Sequence, residues 1–156
     1  GLANRIYLND GAGTFSDSGQ ALGNSNSLSV ALGDVDGDGD LDIAVGNYSG
    51  QVNRIYLNDG AGVFTDSGQT LGGGDSGSVV LGDVDGDGDL DLAVGNRSGQ
   101  PNRIYLNDGA GSFTDSGQAL GSAESCSVAL GDVDGDGDLD LAVGNYSGQA
   151  NRIYQN

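Results

Sequence analysis

A nine-residue acidic sequence, DVDGDGDLD, occurs three times, and each copy lies 49 residues after the previous one. The copies span Asp34–Asp42, Asp83–Asp91 and Asp132–Asp140. Each holds five aspartates in nine positions, and like charges this close repel one another strongly. A bound cation would remove that repulsion. The acidic copies therefore predict one metal site in every repeat.

The spacing of the aspartates favours Ca²⁺. Gly37 and Gly39 allow the backbone to bend, so that alternating oxygens can surround one point. Ca²⁺ accepts six to eight oxygens, and the spacing matches the first nine positions of an EF-hand loop. Position 12 of that loop should be Glu but is Val45, and a strand-like sequence follows where a helix should, which excludes an EF-hand. Mg²⁺ fits less well, because it prefers strict octahedral geometry and retained water.

The predicted ligands are the same five positions of each loop. In the first loop we expect four aspartates to bind by side chain and the fourth in sequence, Asp40, by its backbone carbonyl. The alternative is a solvated acidic turn without metal, which leaves the threefold recurrence at fixed spacing unexplained. The predicted metal residues are Asp34, Asp36, Asp38, Asp40, Asp42, Asp83, Asp85, Asp87, Asp89, Asp91, Asp132, Asp134, Asp136, Asp138 and Asp140.

The charge of the chain is concentrated in these loops. The 156 residues include 23 acidic and 5 basic residues, for a net charge of -18, and the three loops hold most of the acids. Three divalent ions would leave a net charge of about -12. There is no basic patch to meet phosphates, so we expect no nucleic-acid partner. There is also no apolar run of about 18 residues, so we expect no membrane insertion.

The repeat also predicts the fold. The central copy holds four strand-like segments and a turn with strong hairpin chemistry at Asn107-Asp108-Gly109-Ala110-Gly111. Bulky residues alternate with small ones, which suits sheets covered on both faces, as in propeller blades. We predict an all-β protein with four antiparallel strands per repeat. The predicted strands are Ser78–Val84, Leu90–Gly95, Arg103–Leu106 and Phe113–Gly117.

Two stretches carry a resemblance to a known family. GDVDGDGDLDIAVGN, followed by NRIYLNDGAGTF, resembles the VCBS and FG-GAP repeats of calcium-binding β-propellers, which include the integrin α-chain head and several lectins. The Phe-Gly and Gly-Ala-Pro signatures are missing, with Val45-Gly46-Asn47 at the place of the second, so the VCBS branch is closer. The resemblance implies one Ca²⁺ per blade, between its first and second strands, in a structural role.

The chain holds three blade equivalents, fewer than the roughly four to eight of a closed propeller. We expect strands three and four of a split blade in residues 1–23, blades in 24–72 and 73–121, and strands one and two with a duplicated strand three in 122–156. The simplest closure is a six-bladed ring of two identical chains, in which the N-terminal strands of each chain complete the C-terminal blade of the other. A filament, or a fragment of a longer array, is the alternative. If Asn151–Asn156 complete a neighbour's blade, their removal should weaken assembly.

The copies differ most in loops that we place at the end opposite the acidic loops. Tyrosine and arginine there suit sugar stacking or protein hot spots. The alternative is that these are tolerant surface loops without a ligand. The candidate glycan- or protein-binding residues are Tyr48, Gln51, Arg97, Gln100, Tyr146 and Gln149.

Three functions remain open from the sequence. The first is a non-enzymatic, calcium-stabilised, lectin-like binding or adhesion module, extracellular or at the cell surface. The second is a purely structural, self-assembling repeat protein, favoured by the near-identity of the copies. An enzyme comes third: paired acids could hydrolyse glycosides, but metal binding explains every recurring acid cluster better.

Overall fold

The computed structural model describes residues 2–156, which form thirteen strands in four antiparallel sheets. None of these residues lies in a helix that could cross a membrane. The strands are β1 (Asn4–Asn9), β2 (Phe15–Leu22), β3 (Asn26–Gly33), β4 (Asp42–Tyr48), β5 (Arg54–Asn58), β6 (Phe64–Asp66), β7 (Ser76–Gly82), β8 (Asp91–Asn96), β9 (Arg103–Asn107), β10 (Phe113–Asp115), β11 (Ser125–Gly131), β12 (Asp140–Asn145) and β13 (Arg152–Tyr154).

Two of the sheets are complete four-stranded blades. Their strand orders are β3-β4-β5-β6 and β7-β8-β9-β10, so each strand pairs with its neighbours along the chain. Both blades connect their first two strands through an acidic loop and their last two through a glycine-rich hairpin. The predicted all-β, blade-like architecture is confirmed. Closure of a ring by two chains stays a prediction.

The first and last sheets are partial. One contains only β1 and β2, whereas the other contains β11, β12 and β13. Strand β13 pairs with β12 of its own chain, with Tyr154 opposite Leu141 and Arg152 opposite Val143. The last residues therefore extend the chain's own sheet. Completion of a neighbour's blade by these residues stays a prediction.

The core lies between successive sheets. All six residues of β8 are buried, because its sheet is covered on one side by the β3–β6 sheet and on the other by the β11–β13 sheet. Successive side chains of a strand point to opposite faces, so Leu92 and Val94 join one cluster while Ala93 joins the other. Bulky side chains on one face and small ones on the other let the sheets approach closely.

The outer strands carry a repeated ion pair. Arg54 Nη1 lies 3.8 Å from Asp66 Oδ1, and Arg103 Nη1 lies 3.9 Å from Asp115 Oδ2. Both pairs are substantially exposed, so they fix side-chain positions more than they stabilise the fold.

Candidate metal centre

Each acidic sequence forms the loop between the first two strands of a sheet: β3 and β4, β7 and β8, or β11 and β12. The hairpin between the third and fourth strands lies beside it. A Cβ placed on Gly60 would collide with the carboxylate of Asp40, and one placed on Gly109 would collide with that of Asp89. Acidic loops and hairpins therefore share one end of the blades.

Three carboxylates converge in each loop. One oxygen from each lies within 4.8 Å of the others, which is close enough to share one cation. The first and second aspartates of the loop belong to all three groups. The closing aspartate joins them in the first two loops, and the middle aspartate joins them in the third. The groups are Asp34, Asp36 and Asp42; Asp83, Asp85 and Asp91; and Asp132, Asp134 and Asp136.

The first aspartate shapes the loop. Asp34 Oδ1 accepts the backbone N–H of Gly37 at 2.8 Å, and its Oδ2 accepts that of Gly39 at 2.9 Å. Both glycines have positive φ, +77° and +93°, which other residues rarely adopt. The corresponding bonds recur at Asp83 and Asp132. The loop backbone is thus curved around its own carboxylate.

The closing aspartate of each loop is fully buried. Asp42 Oδ2 accepts the N–H of Val35 at 2.9 Å and its Oδ1 accepts the N–H of Asn58 at 2.8 Å. Asp91 makes the same bonds to Val84 and Asn107, and Asp140 makes them to Val133 and Asn156. This carboxylate ties the acidic loop to the third strand of its sheet.

Electrostatic strain accompanies this geometry. Burial, followed by repulsion from Asp42 and Asp38, raises the pKa of Asp36. Partial loss of hydration and repulsion from Asp136 likewise raise the pKa of Asp134. A higher pKa means that the negative form is disfavoured where it stands, and a cation at the same place would reverse that balance.

The other predicted ligands lie at the edge of this cluster. The Asp38 carboxylate accepts the N–H of Asp40 at 2.9 Å, and it is not one of the three converging groups of the first loop. The Asp40 carboxylate lies against the hairpin at Gly60 and is not among the converging groups. The ligand set of each loop, including the carbonyl of Asp40, stays a prediction.

The donor chemistry fits Ca²⁺. Every converging group is a carboxylate, with no histidine in the chain and its one cysteine outside the loops. Oxygen donors on a flexible glycine-rich loop suit a hard cation that tolerates six to eight ligands. Asp34, Asp36 and Asp42 would hold the ion in the first loop. The ion would supply positive charge there, and the loop would supply its position.

The three loops have different surroundings. The first lies against the hairpin of the following blade, since a Cβ on Gly37 would be 3.4 Å from the Gly109 carbonyl oxygen and one on Gly111 would be 3.3 Å from Asp36 Cβ. The third loop is exposed from Asp132 to Asp138. There the side chain of Gln155 donates to Asp134 Oδ2 at 2.8 Å. The equivalent residue of the preceding blade is Leu106, in β9.

The predicted ligand-binding residues lie at the opposite ends of the second strands. The guanidinium carbon of Arg97 is 5.7 Å from the centre of the Tyr48 ring, within cation–π distance, and Tyr146 is 60% exposed. The structure brings Tyr48 and Arg97 of neighbouring blades together on one surface. Their role in binding stays a prediction.

The three glutamines of this group have structural contacts. Each accepts, through Oε1, a backbone N–H from the loop that enters its own sheet. Gln51 bonds to Asn26 at 2.6 Å, Gln100 to Asp75 at 3.0 Å and Gln149 to Glu124 at 2.7 Å. These hydrogen bonds hold two variable loops together, so the three glutamines have fewer polar atoms free to bind a ligand.

Sequence reasoning missed the glutamines that join one sheet to the next. Gln69 Nε2 donates to the Gly111 carbonyl oxygen at 2.6 Å, and its Oε1 accepts the N–H of Phe113 at 2.8 Å. Gln20 makes the same pair of bonds to Gly62 and Phe64. The signal was the recurring DSGQ sequence, which a strand pattern alone does not explain.

Two Asn-Xaa-Ser sequences near this end, which match the N-glycosylation pattern, begin with asparagines whose side chains make hydrogen bonds within the fold. Asn47 is 1% exposed and Asn96 is 7% exposed. The Asn47 amide donates to the Val52 carbonyl oxygen, and that of Asn96 donates to the Pro101 carbonyl oxygen. These two asparagines are therefore structural in the folded chain rather than accessible for glycosylation.

Comparison with known families agrees with this architecture. A family described as FG-GAP-like repeat matches three overlapping segments, residues 2–45, 34–94 and 83–143. Each segment includes acidic-loop residues, and together they cover most of the chain. No curated protein matches the sequence. Proteins of this repeat family are typically non-enzymatic. The chain belongs to the FG-GAP-like repeat family.

Proposed function

We propose that the protein is a calcium-stabilised, non-enzymatic β-propeller module that binds a ligand outside the cell. The observation that carries the calcium part is the convergence of three carboxylates, within 4.8 Å, in each of three loops. Three Ca²⁺ ions per chain would offset charges that otherwise repel. Each ion would also fix the loop that joins the first two strands of a sheet.

The stabilisation would reach beyond the loop. The buried closing aspartate, Asp42 or Asp91, contacts both its own loop and the third strand of the sheet. A cation held by that carboxylate and two loop carboxylates would connect three strands of one blade. Since metal binding to the folded state alone adds to stability, calcium should raise the free energy of unfolding.

An extracellular location suits this proposal. FG-GAP-like repeats are typical of extracellular proteins. Calcium is abundant outside cells, so sensor-strength or weaker sites would stay filled there. The net charge of -18 attracts cations to the chain and so favours filling of the loops.

The ligand face would be the one opposite the acidic loops. Tyr48 and Arg97 form a cation–π pair there, and Tyr146 presents an exposed ring in the third repeat. Aromatic rings next to a guanidinium suit the face of a sugar or a protein hot spot. This proposal predicts a glycan or protein ligand that is lost on changing Tyr48 and Tyr146 to alanine.

The test measures calcium and ligand separately. Calorimetric titration of the chelator-treated chain should give calcium binding that Asp34→Asn, Asp83→Asn and Asp132→Asn together abolish. A glycan array probed with the calcium-loaded chain and with its Tyr48→Ala/Tyr146→Ala variant tests the face. Binding of calcium without any face-dependent ligand would leave only the structural half of the proposal.

A second candidate, a self-assembling structural protein, is favoured by a separate observation. The N-terminal end of the array exposes a group of large apolar side chains whose counterparts in the inner blades are buried or half-buried, apart from Leu28, which Gly77 replaces there. Such a surface marks an interaction site more often than a free surface. The exposed residues at this end are Tyr7, Leu8, Phe15, Leu28, Val30, Leu32 and Leu41.

A further inference from the structure

The contacts between successive sheets repeat along the chain and then stop. Val79 packs on Gly46, where an added Cβ would lie 2.8 Å from Val79 Cγ1, and Val128 packs on Gly95 at 2.7 Å. The next glycine of the series, Gly144, has only residues of its own sheet near it. The first valine of the series, Val30, is 61% exposed. One end of the chain holds an unfilled socket and the other holds its unfilled knob.

A second series ends in the same way. Leucine side chains of the following sheet pack within 2.6–3.1 Å of a Cβ added at Gly33 or Gly82, whereas nothing lies within 4 Å of one added at Gly131. The matching leucines at the other end, Leu32 and Leu41, are 60% and 55% exposed. The two ends are complementary in shape because the blades between them already use the same contact.

The polar contacts between successive sheets also repeat along the chain and then stop. Gln20 and Gln69 each hold a carbonyl and an N–H of the next hairpin, at Gly62 and Phe64 or at Gly111 and Phe113. Their counterpart Gln118 is exposed, and its side chain has no hydrogen bond within residues 2–156. It lines an open pocket on the last sheet together with Leu130, Leu139 and Ile153. The next hairpin in register would be the one at Gly13 and Phe15 of a second chain.

The third-strand sequence begins at residues 4, 53, 102 and 151, so each end of the chain carries one copy of it. NRIYLN at 4–9 forms β1, and NRIYQN at 151–156 includes β13. Continuing the repeat past β12 puts β1 of a second chain in the position that β13 already occupies. Strand β13 pairs only with β12, whereas β1 is also joined to β2 by a hairpin and by pairing along both strands. Strand β1 of a second chain and strand β13 therefore compete for the same position beside β12. Strand β1 also has β2 as a pairing partner, because a hairpin joins the two.

The third acidic loop is incomplete without that hairpin. Asp40 lies against the hairpin at Gly60, and Asp89 lies against the one at Gly109. The matching hairpin for Asp138 would be the one at Gly11, and Asp138 is exposed. In its place, Gln155, the residue after β13, donates a hydrogen bond to Asp134. The substituting strand β1 carries Leu8 at that position, which cannot hold the carboxylate away from a cation.

We propose that the β11–β13 face is a docking site for the β1–β3 end of a second copy of this chain, and that β1 of that copy replaces β13. Two such contacts close a ring of six blades. The replacement removes Gln155 from Asp134 and brings the second copy's hairpin beside the third acidic loop. Pairing and calcium binding at that loop are thereby coupled. The coupling rests on the calcium sites proposed above.

The test counts chains and calcium ions together by native mass spectrometry at micromolar protein. We expect two chains with six ions for the unmodified protein. Val30→Asp should still fold, because the exposed side chain is not needed for folding, but it should not pair. Its single chains should bind two ions tightly and the third at least tenfold more weakly. The matched control is Val63→Asp, which changes a 50% exposed valine before β6 that is not among the docking contacts named above, and this variant should pair normally. Pairing of Val30→Asp as in the unmodified chain would overturn the proposal.

Removal of residues 151–156 tests the strand replacement. Without a competitor, the shortened chain should pair at a several-fold lower concentration, and weaker pairing would overturn the replacement. Hydrogen exchange gives an independent readout in the full-length chain: the Tyr154 amide should exchange faster in the pair than in the Val30→Asp single chain. Equal protection in both would contradict displacement.

The outcomes separate this inference from the calcium proposal. If the unmodified protein forms single chains that bind three equivalent ions, the docking site is refuted and the calcium function stands. Pairs that form without binding any calcium would refute the calcium function and the coupling, and leave the docking contact standing.

Discussion

Asp91 and Asn107 are joined by a hydrogen bond in the interior: the Asp91 Oδ1 atom accepts the backbone N–H of Asn107 at 2.9 Å, and both residues are buried. The bond connects the end of an acidic loop to the end of β9. Asp42 and Asn58 repeat it in the preceding blade. The closing aspartate therefore braces two strands of its blade, whereas an exposed loop aspartate such as Asp87 bonds only within its own loop.

This relationship predicts different costs for two loop substitutions without calcium. Asp91→Ala removes the acceptor of two backbone N–H groups, one buried and one half-buried, and should lower the free energy of unfolding by about 3 kcal/mol. Asp87→Ala removes an exposed carboxylate and should change it little. Urea denaturation in chelator measures both. Equal losses for the two variants would contradict the bracing role of Asp91.

Calcium should raise the melting temperature of the chain. A ligand at one hundred times its Kd adds about 2.7 kcal/mol per site to the folded state. For a chain of this size each kcal/mol corresponds to roughly 2–4 °C. Differential scanning calorimetry in calcium and in chelator gives the shift, with magnesium as the control cation. Identical melting temperatures in calcium and chelator would rule out structural calcium.

The contribution of the glutamine contact between sheets to stability can be measured by comparing Gln69, which makes the contact, with Gln118, which does not. In the Val30→Asp single chain, Gln69→Ala should lower the free energy of unfolding by about 1–3 kcal/mol, because it leaves two backbone groups of the next hairpin without their partner. Gln118→Ala is the matched control and should have almost no effect. Thermal unfolding of the two double variants checks the difference, and a large effect of Gln118→Ala would contradict the assignment.

Asp75 gives a prediction about pH. The Ser98 hydroxyl, together with the backbone N–H of Gly50, holds the pKa of this carboxyl below its usual value. A lowered folded-state pKa stabilises the fold above the unfolded pKa of about 3.9, and the contribution is lost as the pH falls through the folded value. The melting temperature should therefore be lower for Asp75→Asn than for the unmodified chain at pH 7.

The difference should shrink as both proteins are acidified below about pH 4. Both are measured without added calcium, so that effects of the acidic loops cancel in the comparison. A difference that is constant with pH would show that the Asp75 charge contributes nothing to stability.

Much of the fold follows from local sequence. Alternation of Leu92 and Val94 with small residues predicted β8, and the Asn107–Gly111 turn predicted the hairpin that follows β9. These features act within a few residues of one another, so a linear pattern reveals them. The predicted first strand of the central repeat extended to Val84, but β7 ends at Gly82, because the Val84 N–H is bound by Asp91 at the end of the loop.

The long-range contacts were not predictable in the same way. Gln69 and Phe113 are 44 residues apart, and only the stacking of two sheets brings them together. The different environment of the third acidic loop also escaped the sequence, since its residues match those of the other two loops. Its difference comes from a missing neighbour and from Gln155, which lies fifteen positions beyond the loop.

The most direct test of the central claim is the number of calcium ions bound per chain, counted by native mass spectrometry for the unmodified protein and for the Asp34→Asn/Asp83→Asn/Asp132→Asn variant. The carboxylate clusters predict three ions per unmodified chain in excess calcium and none in the variant. The same count for both proteins would contradict calcium binding by the acidic loops.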